Sequence, residues 1–207
     1  MAKSKRTTLK SEKVIELKGA TIHELERAYD KIHAWFFAYP TKEFSLNELS
    51  KNLEISKTAA NVIVSQLEKE SFLEKEILGK LWRIKANQYH PNFIKRKIPF
   101  NLQHVYKSGI IEWIKENIPN SKSIILFGSF RWGEDVKESE KESDLDIAVE
   151  VENNKPLQIL QGVIKEFGYR KNVKVSIHIF SRNSIDLNLF SSIANGIVLD
   201  GFLEVRI

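Results

Sequence analysis

The chain has 207 residues, 42% of them hydrophobic, and a formal net charge of +5. That length holds two modest domains or one large one; no apolar run is long enough to cross a bilayer, and the basic start Met1 to Arg6 is not followed by the apolar segment of a secretion signal. Cysteine is absent, which excludes disulfides, thiol catalysis and cysteine-ligated zinc, and the five histidines form no ligand pair, so the expectation is a cytoplasmic protein away from membranes.

Charge is unevenly divided. Residues 1–100 hold 19 Lys/Arg against 12 Asp/Glu, a balance of +7, and residues 101–207 hold 13 against 15, a balance of −2. The first half is therefore the half expected to meet a polyanion. Residues 1–20 read as a basic arm, with Val14 to Leu17 as a short strand. Thr21 and Glu24 form a capping box, opening a helix with Ile22, Leu25, Ala28, Ile32, Trp35 and Phe36 at helical spacing and Pro40 marking its end. Trp35, Phe36, Phe37 and Phe44 are expected in the core, or at a dimer interface where they emerge. Ser45 and Glu48 repeat the capping box over a short helix to Leu53. Ser56 caps a third helix, with Ala60, Val64 and Leu67 inward and Lys57, Thr58, Asn61 and Ser65 outward. The stretches Leu73 to Ile77 and Leu81 to Lys85, joined through Leu78-Gly79-Lys80, form a hairpin.

Three helices followed by a basic hairpin resemble a winged helix-turn-helix domain, here over residues 21–90. The resemblance implies a third helix lying in the major groove of double-stranded DNA, with Lys57, Thr58, Asn61 and Ser65 meeting bases or phosphates. Lys80, Arg83 and Lys85 on the hairpin meet phosphate. Ser71 stands where a glycine often ends the recognition helix. Winged helices also serve as dimerisation or docking modules, and a homodimer is the default expectation.

Pro91 and Pro99 bracket Lys95-Arg96-Lys97, and residues 91–100 read as a semi-rigid linker. Residues 101–207 then form the second domain. A helix runs from Asn101 to Asn117, Pro119 resets the chain, and a strand leads to Phe127. After a second strand, Pro156 opens a helix through Phe167 ended by Gly168. Val173 to Phe180 is a strand, Asp186 to Asn195 a last helix, and Gly196 to Leu199 leads into a terminal strand.

The densest chemistry lies between Ser123 and Val151. Ile124-Ile125-Leu126-Phe127 ends in Gly128-Ser129, a charged spacer follows, and Asp144-Leu145-Asp146-Ile147 opens the next strand. Residues two apart on a strand share a face, so the Asp144 and Asp146 carboxylates reach one region of space, and hard divalent cations relieve their repulsion. Gly128 lets backbone approach a ligand closely, and Ser129 adds a hydroxyl and an amide suited to phosphate. The spacer Glu134 to Glu142 carries five acids against two lysines and reads as a solvated loop.

At these residues the chain resembles the DNA polymerase β-like nucleotidyltransferases, in particular the minimal nucleotidyltransferases. The shared pattern is an apolar strand ending in Gly-Ser, a variable loop, and Asp-x-Asp between apolar residues. The resemblance implies that Gly128, Ser129 and Arg131 bind a nucleoside triphosphate, with ATP expected. It further implies that Asp144 and Asp146 bind two magnesium ions, which activate the attacking acceptor hydroxyl and stabilise the leaving pyrophosphate. An antitoxin-like transfer to a partner protein heads the acceptors. The family's third carboxylate falls at Ser176, and His178, two residues on, is either a substitute base or a structural histidine. The expected fold class is α+β, a winged helix-turn-helix domain followed by a nucleotidyltransferase domain with a small mixed sheet. The alternative function is a DNA-binding regulator whose transferase-like domain only binds nucleotide or dimerises.

Overall fold

A computed structural model describes residues 22–79, 81–137, 142–152 and 156–204. The expected basic arm, the strand at Val14 to Leu17, the Thr21 cap and Lys80 lie outside the described residues. The first unit begins with α1 (Ile22–Ala38), α2 (Leu46–Leu53) and α3 (Lys57–Lys69), followed by the antiparallel pair β1 (Leu73–Leu78) and β2 (Leu81–Ala86). Ser45 and Glu48 form the full capping box of α2, and the Ser56 hydroxyl caps α3 by accepting from the Ala59 amide. Ser71 has a φ of 55°, the left-handed conformation that a glycine takes more readily at this position. Phe44 bridges Ile84, adding a third short edge to the hairpin. Ile32, Phe36, Leu49, Val64, Leu67, Phe72 and Ile84 are wholly buried in one core. Aromatic contacts among Phe37, Phe72, Phe93 and Phe100 extend that core toward the next helix.

Residues 91–100 are not a linker. They form the first part of a continuous helix, α4 (Pro91–Lys107), which runs from the first unit into the second. His90 caps it, and Pro91 occupies the first helical position, where its missing N–H is no loss. The basic residues that suggested an exposed segment are anchored. Arg96 pairs with Glu70 at 2.5 Å, and Lys97 is 1% exposed beside Asp135. Arg96 and Lys97 anchor α4 before Pro99, which removes one helical hydrogen bond, and Asn101, donating to the Phe130 carbonyl and to Asp135, anchors it beyond. The helix expected to run to Asn117 is broken at Gly109, whose left-handed backbone redirects the chain into α5 (Ile110–Asn117).

The second unit is a five-stranded mixed sheet in the order β5-β6-β4-β3-β7. Its strands are β3 (Ser121–Phe127), β4 (Leu145–Val151), β5 (Gln158–Phe167), β6 (Arg170–Phe180) and β7 (Ile197–Gly201), with α6 (Gly128–Trp132) after β3 and α7 (Leu187–Ala194) before β7. Only β4 and β6 run parallel; the other neighbours are antiparallel. Val105, Ile111, Ile114, Leu126, Phe130, Ile147, Val175 and Ile177 form the core between one face of the sheet and helices α4, α5 and α6. Ile125, Phe127, Ala148, Phe180 and Ile193 form a smaller core under α7 on the other face.

The helix expected over residues 156–167 is instead β5. Leu157, Leu160, Ile164 and Phe167 have helical spacing, but the segment pairs with β6 from Gln158↔Ile179 to Phe167↔Arg170. Ile159, Val163 and Ile164 are β-branched and suit a strand, and Gly168, at a φ of 59°, turns the hairpin. β5 is an edge strand, with Ile159 and Val163 about half exposed.

Candidate active site

The end of β3 and the start of β4 lie side by side, with Phe127 opposite Asp146. Gly128 takes a φ of 70°, and a Cβ added there would lie 3.1 Å from Asp146 Cγ and 3.2 Å from its Cβ, overlapping the carboxylate itself. Glycine is thus required twice, by its backbone and by the space that Asp146 fills. Ser129 follows at the start of α6, half-buried beside this turn.

On the other side of β4, the parallel register sets Asp146 against Ser176 and Ala148 against His178. Ser176 is 5% exposed and its hydroxyl lies 3.3 Å from Asp144 Oδ2. Gln161, opposite Ser176 on β5, donates from Nε2 to Ser176 Oγ at 3.2 Å. His178 Nε2 stands 3.7 Å from Asp146 Oδ1, its ring packs edge-on against Phe127, and its buried Nδ1 has no hydrogen-bond partner among the described residues. Gly128, Asp144, Asp146, Ser176 and His178 therefore meet at one end of the sheet, joined by Gln161, which the sequence reading placed on a helix.

The two carboxylates give the site a hard oxygen donor set. Among the described residues, no group of three or more His, Cys, Asp or Glu side chains is assembled to hold a metal. Two carboxylates fit a divalent cation that completes its coordination with phosphate oxygens and water.

Arg131 Nε donates to the Asn195 carbonyl at 2.9 Å, and its guanidinium stacks 3.5 Å from the centroid of the Trp132 ring. It braces α6 against the end of α7. Beside Gly128, a groove of about 410 Å³ lined by Phe127, Trp132, Leu189, Ser192 and Asn195 opens under α7.

The spacer after α6 is not solvated throughout. Asp135 is 1% exposed and pairs with Arg170 at 2.7 Å and Lys97 at 3.3 Å, while Asn101 Nδ2 donates to its Oδ1 at 2.7 Å. Lys97 also donates to the Asp135 carbonyl. Arg170 reaches back to the carbonyls of Phe37 and Ala38 at 3.0 and 3.1 Å, at the end of α1. This buried network fixes the loop between the two halves of the motif to both units of the chain. Burial pushes the Lys97 pKa down to about 8, against the opposing pull of Asp135. Nothing in the sequence pattern separates Asp135 from its acidic neighbours.

In the first unit, Lys57, Thr58 and Asn61 are exposed along α3, and the half-buried Ser65 donates to Asn61 Oδ1 at 3.4 Å. On the hairpin, Arg83 Nε donates to Glu43 at 2.9 Å and Lys85 pairs with Glu74 at 3.0 Å, so both charges already have partners within the protein.

A nucleotidyltransferase domain is what the second unit resembles. Residues 107–198 match the family model described as nucleotidyltransferase domain, and that span contains Gly128, Asp144, Asp146, Gln161, Ser176 and His178. The match supports a minimal nucleotidyltransferase as the class of this part of the chain. No curated protein matches the chain. No helix among the described residues is long and apolar enough to cross a membrane.

Proposed function

We propose that the chain transfers a nucleoside monophosphate from a magnesium-bound triphosphate, with ATP as the expected donor, to an acceptor hydroxyl, and that its first unit binds double-stranded DNA. The observation that carries the transfer is the fit of the Gly128 turn against Asp146, beside Asp144. It places a backbone able to approach phosphate next to two carboxylates able to hold its counter-ion. A cation held there offsets charge on the phosphates as it develops.

In the transfer, the acceptor oxygen bonds to the α-phosphorus and the bond from the α-phosphorus to the α–β bridging oxygen breaks. Pyrophosphate leaves, and the hydroxyl proton passes to His178 beside Asp146. Gly128 and Ser129 hold the phosphate chain, and the groove beside Gly128 gives it room.

DNA binding is supported by the exposed polar row of α3, the hairpin that follows it with the Phe44–Ile84 bridge alongside, and the +7 balance of residues 1–100. A second reading, a DNA-binding regulator whose transferase-like unit only binds nucleotide, is favoured by one observation: the neutral Ser176 lies where a third carboxylate would strengthen catalysis.

The test is incubation of the purified protein with magnesium and each nucleotide labelled at the α-phosphate, in lysate of its host, followed by separation of labelled products. A labelled protein or nucleic acid that disappears with Asp144→Ala/Asp146→Ala establishes the transfer and names the acceptor. No labelling, with nucleotide still bound by calorimetry, establishes the regulator reading.

A further inference from the structure

We infer that Gln161 and Ser176 act together as positioning residues that hold Asp144 in place and limit the site to a single divalent cation. The inference rests on the reading of Asp144 and Asp146 as the cation-holding pair. Three residues on three adjacent strands carry it. Gln161 on the edge strand β5 donates from Nε2 to Ser176 Oγ at 3.2 Å, and Ser176 on β6 lies 3.3 Å from Asp144 Oδ2, just before β4. A serine hydroxyl has one proton. With its lone pair taken by Gln161, that proton is available to Asp144, and the chain runs Gln161 to Ser176 to Asp144. Gln161 Oε1 also lies 3.3 Å from the hydroxyl, but a proton donated there would be lost to Asp144, so the arrangement that ties Asp144 is the one in which Gln161 Nε2 donates and Ser176 passes its proton to the carboxylate.

The consequence is electrostatic. At Ser176, beside Asp146 in the β4–β6 register, a carboxylate would raise the site to three negative charges and supply oxygens to a second cation. The Gln161–Ser176 pair adds no charge there. Without a third carboxylate, a second ion has only the remaining oxygens of Asp144 and Asp146, the substrate phosphates and water as ligands, and is held more weakly than the first. The amide and hydroxyl orient Asp144 as outer hydrogen-bond partners orient ligands at metal sites generally.

The full-length protein is titrated with Mn²⁺ in the presence of a saturating non-hydrolysable ATP analogue, with free Mn²⁺ counted by electron paramagnetic resonance. One Mn²⁺ per chain is expected, and none with Asp144→Ala/Asp146→Ala. Ser176→Ala and Gln161→Ala each weaken Mn²⁺ binding by about tenfold, and Ser176→Thr, which keeps the hydroxyl, restores it. Ser176→Asp raises the stoichiometry to two; should that buried substitution fail to fold, the Mn²⁺ count on the native chain and the affinity of Ser176→Ala still decide. Two Mn²⁺ per native chain, or native affinity in Ser176→Ala, overturns the inference and leaves the transferase reading intact. Native protein that binds no Mn²⁺ overturns the transferase reading itself.

Discussion

Gly128 and Asp146 occupy each other's space: the backbone of one passes where only the missing Cβ leaves room for the carboxylate of the other, 3.1 Å from Asp146 Cγ to the position a Cβ would take. Gly128→Ala therefore displaces the carboxylate and also strains a backbone held at a φ of 70°. We expect nucleotide-dependent Mn²⁺ affinity to fall by about tenfold or more. The urea midpoint should drop by an amount corresponding to roughly 1–3 kcal/mol. Calorimetry and urea denaturation on the same preparation check both.

Asp146→Ala removes a carboxylate from the site without touching α3, which lies in the other unit. Transfer of labelled nucleotide should be lost while DNA affinity stays at the native value. Full transfer by the variant would show that the cation is held elsewhere.

His178 is tested by His178→Gln. As the proton acceptor it contributes about 100-fold or more to the rate, and the variant should lose that much while binding nucleotide normally. A loss below threefold, measured in single-turnover transfer, would leave it as packing against Phe127.

The buried Asp135 holds two cations, and removing it leaves Lys97 and Arg170 without their carboxylate. Asp135→Ala should cost about 3–5 kcal/mol in urea denaturation. Lys97→Met is milder, because Arg170 keeps its partner, and it carries a pH signature. With the Lys97 pKa near 8 in the fold and 10.5 as its ordinary value, the unfolded chain binds more protons between those values. That group therefore makes the native protein gain stability as pH rises from about 8 toward 10.5. Lys97→Met should lack that gain, so the difference between the two proteins should shift in favour of the native chain across this window. A difference independent of pH would mean that Lys97 titrates alike in both states.

On the DNA face, Lys57→Ala/Asn61→Ala should weaken binding and flatten its salt dependence, with a slope reduced by about one for the lost lysine. Arg83→Ala should do less, since Arg83 already pairs with Glu43 and must exchange that partner to reach phosphate. Fluorescence anisotropy across a salt series checks both.

The sequence by itself determined the local motifs. Ser45, Glu48 and Ser56 are read within one turn of the helices they cap. The strand ending in Gly128-Ser129 and the apolar-flanked Asp144 and Asp146 depend on spacing that neighbouring residues set, and β-strand alternation places both aspartates on one face. Alternation within β6 puts Ser176 and His178 on one face of that strand, and the family resemblance set that face beside the aspartates. What only the tertiary structure decided involves partners distant in the chain. Residues 158–167 have helical spacing, yet ladder pairing with β6 makes them a strand, and only that pairing brings Gln161 to Ser176. Residues 91–100 look like a linker because prolines and lysines read locally as breakers and solvent-facing charge. Lys97 instead lies in the helix, buried against Asp135, 38 positions away. A charge goes inside only where a distant partner meets it, so no local pattern marks Asp135, Lys97 or Arg170 as the network that joins the two units.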